Sequence, residues 1–124
     1  MKYLIGIDAG GTKTECAVAD LTGNILLTET GKSVNYLIAG ADKTSANLFG
    51  LIFQCLKKLN INFSEVKQIV IGLAGAGRLI DAQQLERSFI QYSKRQKVKI
   101  NSVKVVSDAR LLLKVHFREN RAVY

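Results

Sequence analysis

The sequence predicts an α/β domain built on a mixed five-stranded sheet, three strands antiparallel and then two parallel, with helices flanking it. Three observations carry that prediction. The first three apolar segments are strand-like, and a glycine–asparagine turn joins the second to the third, so they form an antiparallel meander. Helix-like and strand-like segments then alternate, the pattern of parallel strands joined by crossovers. A length of 124 residues, 48% hydrophobic and 23% charged, matches one folded domain around one core.

The meander strands fall at 3–8 (YLIGID), 14–20 (TECAVAD) and 25–30 (ILLTET), each rich in apolar or β-branched residues. Thr22, Gly23 and Asn24 supply the residues that a tight hairpin turn needs for positive φ. A loop over 31–41 leads to a helix over 42–59 with Asp42 as N-cap, where Leu48, Phe49, Ile52, Phe53, Leu56 and Leu59 form one apolar stripe. Ser64 and Glu65 belong to the connection that follows. A fourth strand, Gln68 to Leu73, is apolar enough for burial on both faces and runs into the glycine-rich stretch AGAGR. A second helix covers 80–95, with Asp81 and Gln84 spaced as a capping box. The fifth strand, SVKVVSDA at 102–109, carries Asp108 near its end. Residues 108–116 open a third helix, and Ala122 to Tyr124 begin another strand. Repeats, linkers and low-complexity segments are absent from the sequence.

Composition narrows the function classes. No apolar run approaches the roughly 18 residues of a membrane span, and Met1-Lys2-Tyr3-Leu4 enters a strand pattern directly, so no membrane association and a cytoplasmic location are expected. Cys16 and Cys55 sit inside apolar patterns and fit reduced core thiols. The net charge is +8, and 10 of the 18 Lys and Arg fall at or after Arg87. That asymmetry raises nucleic acid as a partner, but basic and aromatic residues are not interleaved there, so nucleic acid is not the expected ligand. His116 has no partner nearby in sequence and reads as a surface residue.

Chemistry concentrates in IGIDAGGTKTECAVAD, residues 5–20. A strand ends near Asp8, the chain turns at Gly10 and Gly11, and Thr12 and Lys13 lead into the next strand. Glycines at a tip let backbone N–H groups approach an anion without an intervening Cβ, which suits a phosphate. Asp8 beside such a tip has the oxygen chemistry of a Mg²⁺ ligand, and Thr12 and Lys13 are donors to phosphoryl oxygens. An ordinary glycine hairpin fits the same residues. GxxxxGK[ST] is absent, and the glycines precede a strand rather than a helix, so neither a Walker A loop nor a dinucleotide fingerprint is present.

GIDAGGTKTECAVAD resembles the first phosphate-binding hairpin of the sugar kinase, Hsp70 and actin superfamily. SVNYLIAG, IGLAGAGR and VVSDA follow in the order and at the approximate spacing of the BadF/BadG/BcrA/BcrD ATPase family, which includes N-acetylglucosamine kinases, and the similarity covers nearly the whole chain. It implies a ribonuclease H-like sheet in an actin-like ATPase domain, with ATP and Mg²⁺ as cofactors and a sugar as substrate. Asp8 would position the metal, and Gly10, Gly11, Thr12 and Lys13 would hold the transferred phosphate. Asn35 matches the asparagine that binds sugar hydroxyls, although a turn residue is the competing reading. Gly75, Ala76, Gly77 and Arg78 match a loop bordering the substrate cleft, where Arg78 is equally a solvated charge. Asp108 matches the general base that takes a proton from the attacking hydroxyl; on residue pattern alone, an N-cap reads as well. The family often has Asn or Thr before this Asp, where Ser107 stands here.

Kinases of this superfamily also need a second glycine-rich hairpin, an adenosine pocket and a closing lobe, none of which is among these residues. The expectation is therefore an N-terminal lobe spanning 1–124, inactive in phosphate transfer alone, because catalysis needs clamping from both sides. A lobe without its partner exposes apolar surface, so a homodimer is a possible assembly. Two other classes stay open: the ATPase activator of a 2-hydroxyacyl-CoA dehydratase or benzoyl-CoA reductase system, with an iron–sulfur cluster between subunits, and a non-enzymatic sugar-sensing module.

Overall fold

The computed structural model of the chain describes residues 2–10, 12–33, 36–73 and 79–106. Within them, β1 (Tyr3–Ala9), β2 (Lys13–Asp20) and β3 (Ile25–Lys32) form the antiparallel meander, followed by α1 (Tyr36–Leu59), a 3-10 turn (Phe63–Glu65), β4 (Val66–Leu73), α2 (Leu79–Arg95) and β5 (Val103–Val106). The sheet order is β3-β2-β1-β4-β5, with β4 parallel to β1 and β5 parallel to β4. The three-antiparallel, two-parallel sheet expected from the sequence is present.

Period-two alternation sorts the central strands into two faces. Ile5, Ile7 and Ala9 on β1 stand opposite Val18, Cys16 and Thr14 on β2 and beside Ile69, Ile71 and Leu73 on β4. These residues are buried and, Thr14 apart, share one apolar cluster with Leu48, Ile52, Leu56, Leu85 and Phe89 from the two helices. Both helices therefore pack on this face, which carries the core. Asp8, Lys13 and Glu15 alternate onto the opposite face.

α1 differs from expectation at its start. It begins at Tyr36 and breaks at Gly40, whose φ of 83° and ψ of 171° only glycine adopts freely. Asp42 is thus inside the helix rather than its N-cap, and its Oδ1 accepts from Ser88 Oγ at 2.7 Å, tying α1 to α2. The buried stripe also shifts: Phe53 is 50% exposed, while Leu51 is buried against Gly31, where a Cβ would come within 3.1 Å of Leu51 Cδ2. The two residues lie two positions, about 200°, apart around the helix, on opposite edges of the stripe. α1 stops at Asn60, φ 56°, with Ile61 N–H donating to the Leu56 carbonyl at 2.9 Å. α2 stops the same way at Lys97, φ 62°, with Val98 N–H on the Ser93 carbonyl at 2.9 Å.

α2 starts at Leu79, so Asp81 lies in its first turn and the expected Asp81–Gln84 capping box does not describe its start. Gln84 instead accepts from the Tyr36 hydroxyl. β5 ends at Val106; Asp108, the third helix at 108–116 and the strand at 122–124 lie outside the described residues.

Candidate functional site

Parallel pairing aligns the C-terminal ends of three strands. Ala9 of β1 pairs with Leu73 of β4, and Gly72 of β4 with Val106 of β5, so the three ends lie along one edge of the sheet. Open α/β sheets bind ligands at such an edge, where successive strands deliver their following loops to a common place. The β1–β2 tip and the C-terminal end of β3 reach the same edge, since Lys13 pairs with Lys32 and Thr14 with Gly31.

Of the site residues named from the sequence, Asp8, Gly10, Thr12 and Lys13 are described. Gly11, Asn35, Gly75, Arg78 and Asp108 lie outside the described residues, as do Ala76 and Gly77. Asp8 is half-buried one residue from the end of β1. Gly10 N–H donates to the Lys13 carbonyl at 3.0 Å, closing the tip. A Cβ on Gly10 would stand 3.2 Å from that same carbonyl oxygen, a contact tight enough to strain the closure. Thr12 and Lys13 are exposed.

Glu15 is the residue that sequence reasoning missed. It stands directly opposite Asp8 in the β1–β2 pairing, and its Oε1 lies 3.0 Å from Lys13 Nζ. Its signal was the alternation in KTE: residues two apart on a strand share a face, so Lys13 and Glu15 had to join the face of Asp8. Asp8, Glu15 and Lys13 thus share the face away from the helices, with Lys32 paired opposite Lys13. Carboxylate oxygens at paired positions are the donor type that Mg²⁺ takes, and the ammonium suits phosphoryl oxygens.

Neighbouring polar groups play other parts. Thr14 faces the helices, and its hydroxyl is buried with no hydrogen-bond partner among the described residues, as is that of Thr44. Cys16 and Cys55 are buried free thiols that hydrogen-bond to each other, and this bond, followed by burial, pushes Cys16 well above the usual thiol range. They form part of the core between β2 and α1. The Tyr36 hydroxyl donates to Gln84 Oε1 at 2.9 Å, and burial, followed by the Asp81 charge, raises its pKa. Among the described residues no helix is long and apolar enough to cross a membrane.

The sequence profile of the BadF/BadG/BcrA/BcrD ATPase family matches residues 5–124. The chain belongs to that family. It is 34% identical over 113 residues to an N-acetylmuramic acid/N-acetylglucosamine kinase of Clostridium acetobutylicum, an alignment covering 91% of this chain and 35% of the relative. The chain therefore spans about a third of that relative's length. Among solved structures it resembles a candidate N-acetylglucosamine kinase from Porphyromonas gingivalis, with a TM-score of 0.60, 17% identity, and coverage of 85% of this chain and 33% of that one. A protein of actin-like ATPase fold from Bacteroides thetaiotaomicron matches with a TM-score of 0.50 and 13% identity over 91% of this chain and 37% of that one. The mixed sheet and its crossovers are those of the actin-like ATPase fold, as the sequence predicted, and the family is one of sugar-kinase-like ATPases.

Proposed function

We propose that these residues form the phosphate- and sugar-binding lobe of an ATP-dependent kinase acting on N-acetylglucosamine or a close amino sugar. The observation that carries the reading is the common edge of Ala9, Leu73 and Val106, because the glycine tip, the Gly75–Arg78 segment and Asp108 each follow one of those strand ends in sequence. Membership of the ATPase family and similarity to a curated amino-sugar kinase support it.

In this proposal backbone N–H groups at the tip, with Thr12 and Lys13, hold the phosphoryl oxygens of ATP. Glu15 keeps Lys13 directed along the strand. Asp8, with Glu15 opposite, offers the oxygens for Mg²⁺, which when bound neutralises phosphate charge. Asn35 and the Gly75–Arg78 segment bind the sugar. Asp108 accepts the proton of the attacking hydroxyl as its oxygen bonds to the γ-phosphorus and the bond to the ADP oxygen breaks. The second half of the phosphate clamp belongs to another lobe, so the 124 residues alone bind but do not transfer phosphate at a useful rate.

Calorimetric titration with N-acetylglucosamine, glucose and Mg-ATP, repeated on Asn35→Ala and Asp108→Ala, tests the reading. N-acetylglucosamine binding in the parent, lost in both variants, is the expected result. Binding of Mg-ATP alone would instead favour an ATPase activator. Phosphate transfer by the isolated chain would refute the lobe assignment.

A further inference from the structure

Where the end of β3 meets the middle of α1, the helix-facing side of the sheet holds a cavity of about 450 Å³. Thr14 and Gly31, paired across β2 and β3, line it from the sheet, together with Leu51 and, along one stripe of α1, Asn47, Gly50 and Gln54. Its volume lies in the range of small-molecule sites. Among the described residues, its lining includes none of those assigned above to phosphate, metal or sugar.

Folding does not account for two of these residues. Thr14 is 1% exposed, and its hydroxyl has no hydrogen-bond partner among the described residues. A buried hydroxyl in that state costs stability, and valine would fill the same shape without the cost. Gly50 stands inside α1, where glycine weakens a helix relative to alanine. Its φ is not positive, and a Cβ there would meet nothing within 4 Å, so neither backbone conformation nor packing calls for glycine. What the missing side chain leaves is room in the cavity.

The groups around that room define what would fill it. The Thr14 hydroxyl and the Asn47 and Gln54 amides each both donate and accept, which is what the hydroxyls of a polyol need, and Leu51 offers surface to its C–H groups. Lys32, the charged residue in the described lining, is paired opposite Lys13 and so alternates onto the other face of the sheet. The chemistry favours a neutral molecule over an ion. We propose that this cavity is a binding site for a small neutral polyol, of monosaccharide or cyclitol type, one of whose hydroxyls pairs with Thr14 Oγ1. The proposal is independent of the kinase-lobe reading.

Amide-resolved NMR titration of the 124-residue chain with glucose, inositol, glucuronate and inorganic phosphate tests it, repeated on Thr14→Val and Gly50→Leu. Glucose or inositol should shift Thr14, Gly31, Asn47, Gly50 and Gln54 together. Loss of one hydrogen bond in Thr14→Val should weaken that binding about fivefold, and Gly50→Leu, which occupies the cavity, should abolish it. Without ligand, Thr14→Val should melt at a higher temperature than the parent, because an unsatisfied buried hydroxyl has been removed. A lower melting temperature would mean that the hydroxyl already has a partner in the fold, and would overturn the proposal. Binding that survives Gly50→Leu, or tighter binding of glucuronate or phosphate than of glucose and inositol at these residues, overturns it too. So do shifts confined to residues 9–13, which leave the kinase-lobe reading standing while removing this site.

Discussion

The turn between β2 and β3 closes on itself, whereas the turn between β1 and β2, at the other end of the shared strand, leaves Thr12 and Lys13 exposed. In the first, the Asp20 carboxylate accepts from Thr22 N–H at 3.0 Å, Thr22 Oγ1 at 2.6 Å and Asn24 N–H at 3.0 Å, while Asn24 Nδ2 reaches Thr22 Oγ1 at 3.0 Å. Gly23, at φ 93°, supplies the one backbone conformation that other residues adopt at a cost. In the second, a backbone hydrogen bond from Gly10 N–H to the Lys13 carbonyl closes the tip. The Thr12 hydroxyl has no hydrogen-bond partner among the described residues, and Lys13 pairs with the half-buried Glu15. Both turns contain glycine and threonine. The difference is whether the threonine hydroxyl is taken up by the turn itself, as at Thr22, or has no partner among the described residues, as at Thr12.

Four substitutions put the difference between the two turns to the test. Asp8→Asn removes a charge from the open turn's face and should weaken Mg-ATP about tenfold to a hundredfold with little change in melting temperature, as calorimetry and thermal unfolding would report. Gly10→Val crowds the Lys13 carbonyl and should weaken Mg-ATP several-fold, again by titration, because the tip must open to relieve the contact. Gly23→Ala should do the reverse: a loss of about 1 kcal/mol of stability in denaturant unfolding, from the left-handed backbone it must hold, with Mg-ATP affinity unaltered.

The smallest effect belongs to Asp20→Asn, and it has a pH signature. The Thr22 hydroxyl foremost, with the Asn24 and Thr22 N–H groups, holds the Asp20 carboxylate below its ordinary range. A depressed carboxylate stabilises the fold above its unfolded pKa, and that stabilisation is lost as pH falls through the folded value. Asp20→Asn should therefore be less stable than the parent near neutrality, by no more than about 1 kcal/mol because the turn is solvated, and the gap should close in acid. A gap that persisted unchanged at low pH would contradict a charge-based role. Urea unfolding at both pH values measures it.

Much of this contrast was legible in the residues. The Thr22-Gly23-Asn24 turn and the three strands around it follow from turn chemistry and alternation, and the order of parallel strands from the alternation of helix and strand patterns. Asp8 and the glycine tip stood out because an acid and two glycines interrupt an apolar run. The start of α1 was not legible: Gly40 reads as a loop residue and does interrupt the helix, but a helical turn from Tyr36, bonded through its hydroxyl to Gln84 of α2, precedes it. The capping box expected of Asp81 and Gln84 failed because α2 starts at Leu79, two residues before Asp81, which the box would make the N-cap. Glu15 was legible in principle from strand alternation, but its pairing opposite Asp8 depends on hairpin register, which the tip sets. Leu51 rather than Phe53 is buried because the two sit on opposite edges of the apolar stripe, about 200° apart, and packing of α1 on the sheet decides which edge is covered.

If the β1–β2 tip, and not its closed counterpart, holds phosphate, an amide-resolved NMR titration of the chain with Mg-ATP will show it. The expected shifts centre on Ala9 to Lys13 and Glu15, with Asp20 to Asn24 unmoved. Shifts spread equally over both turns, or absent from the first, would contradict it.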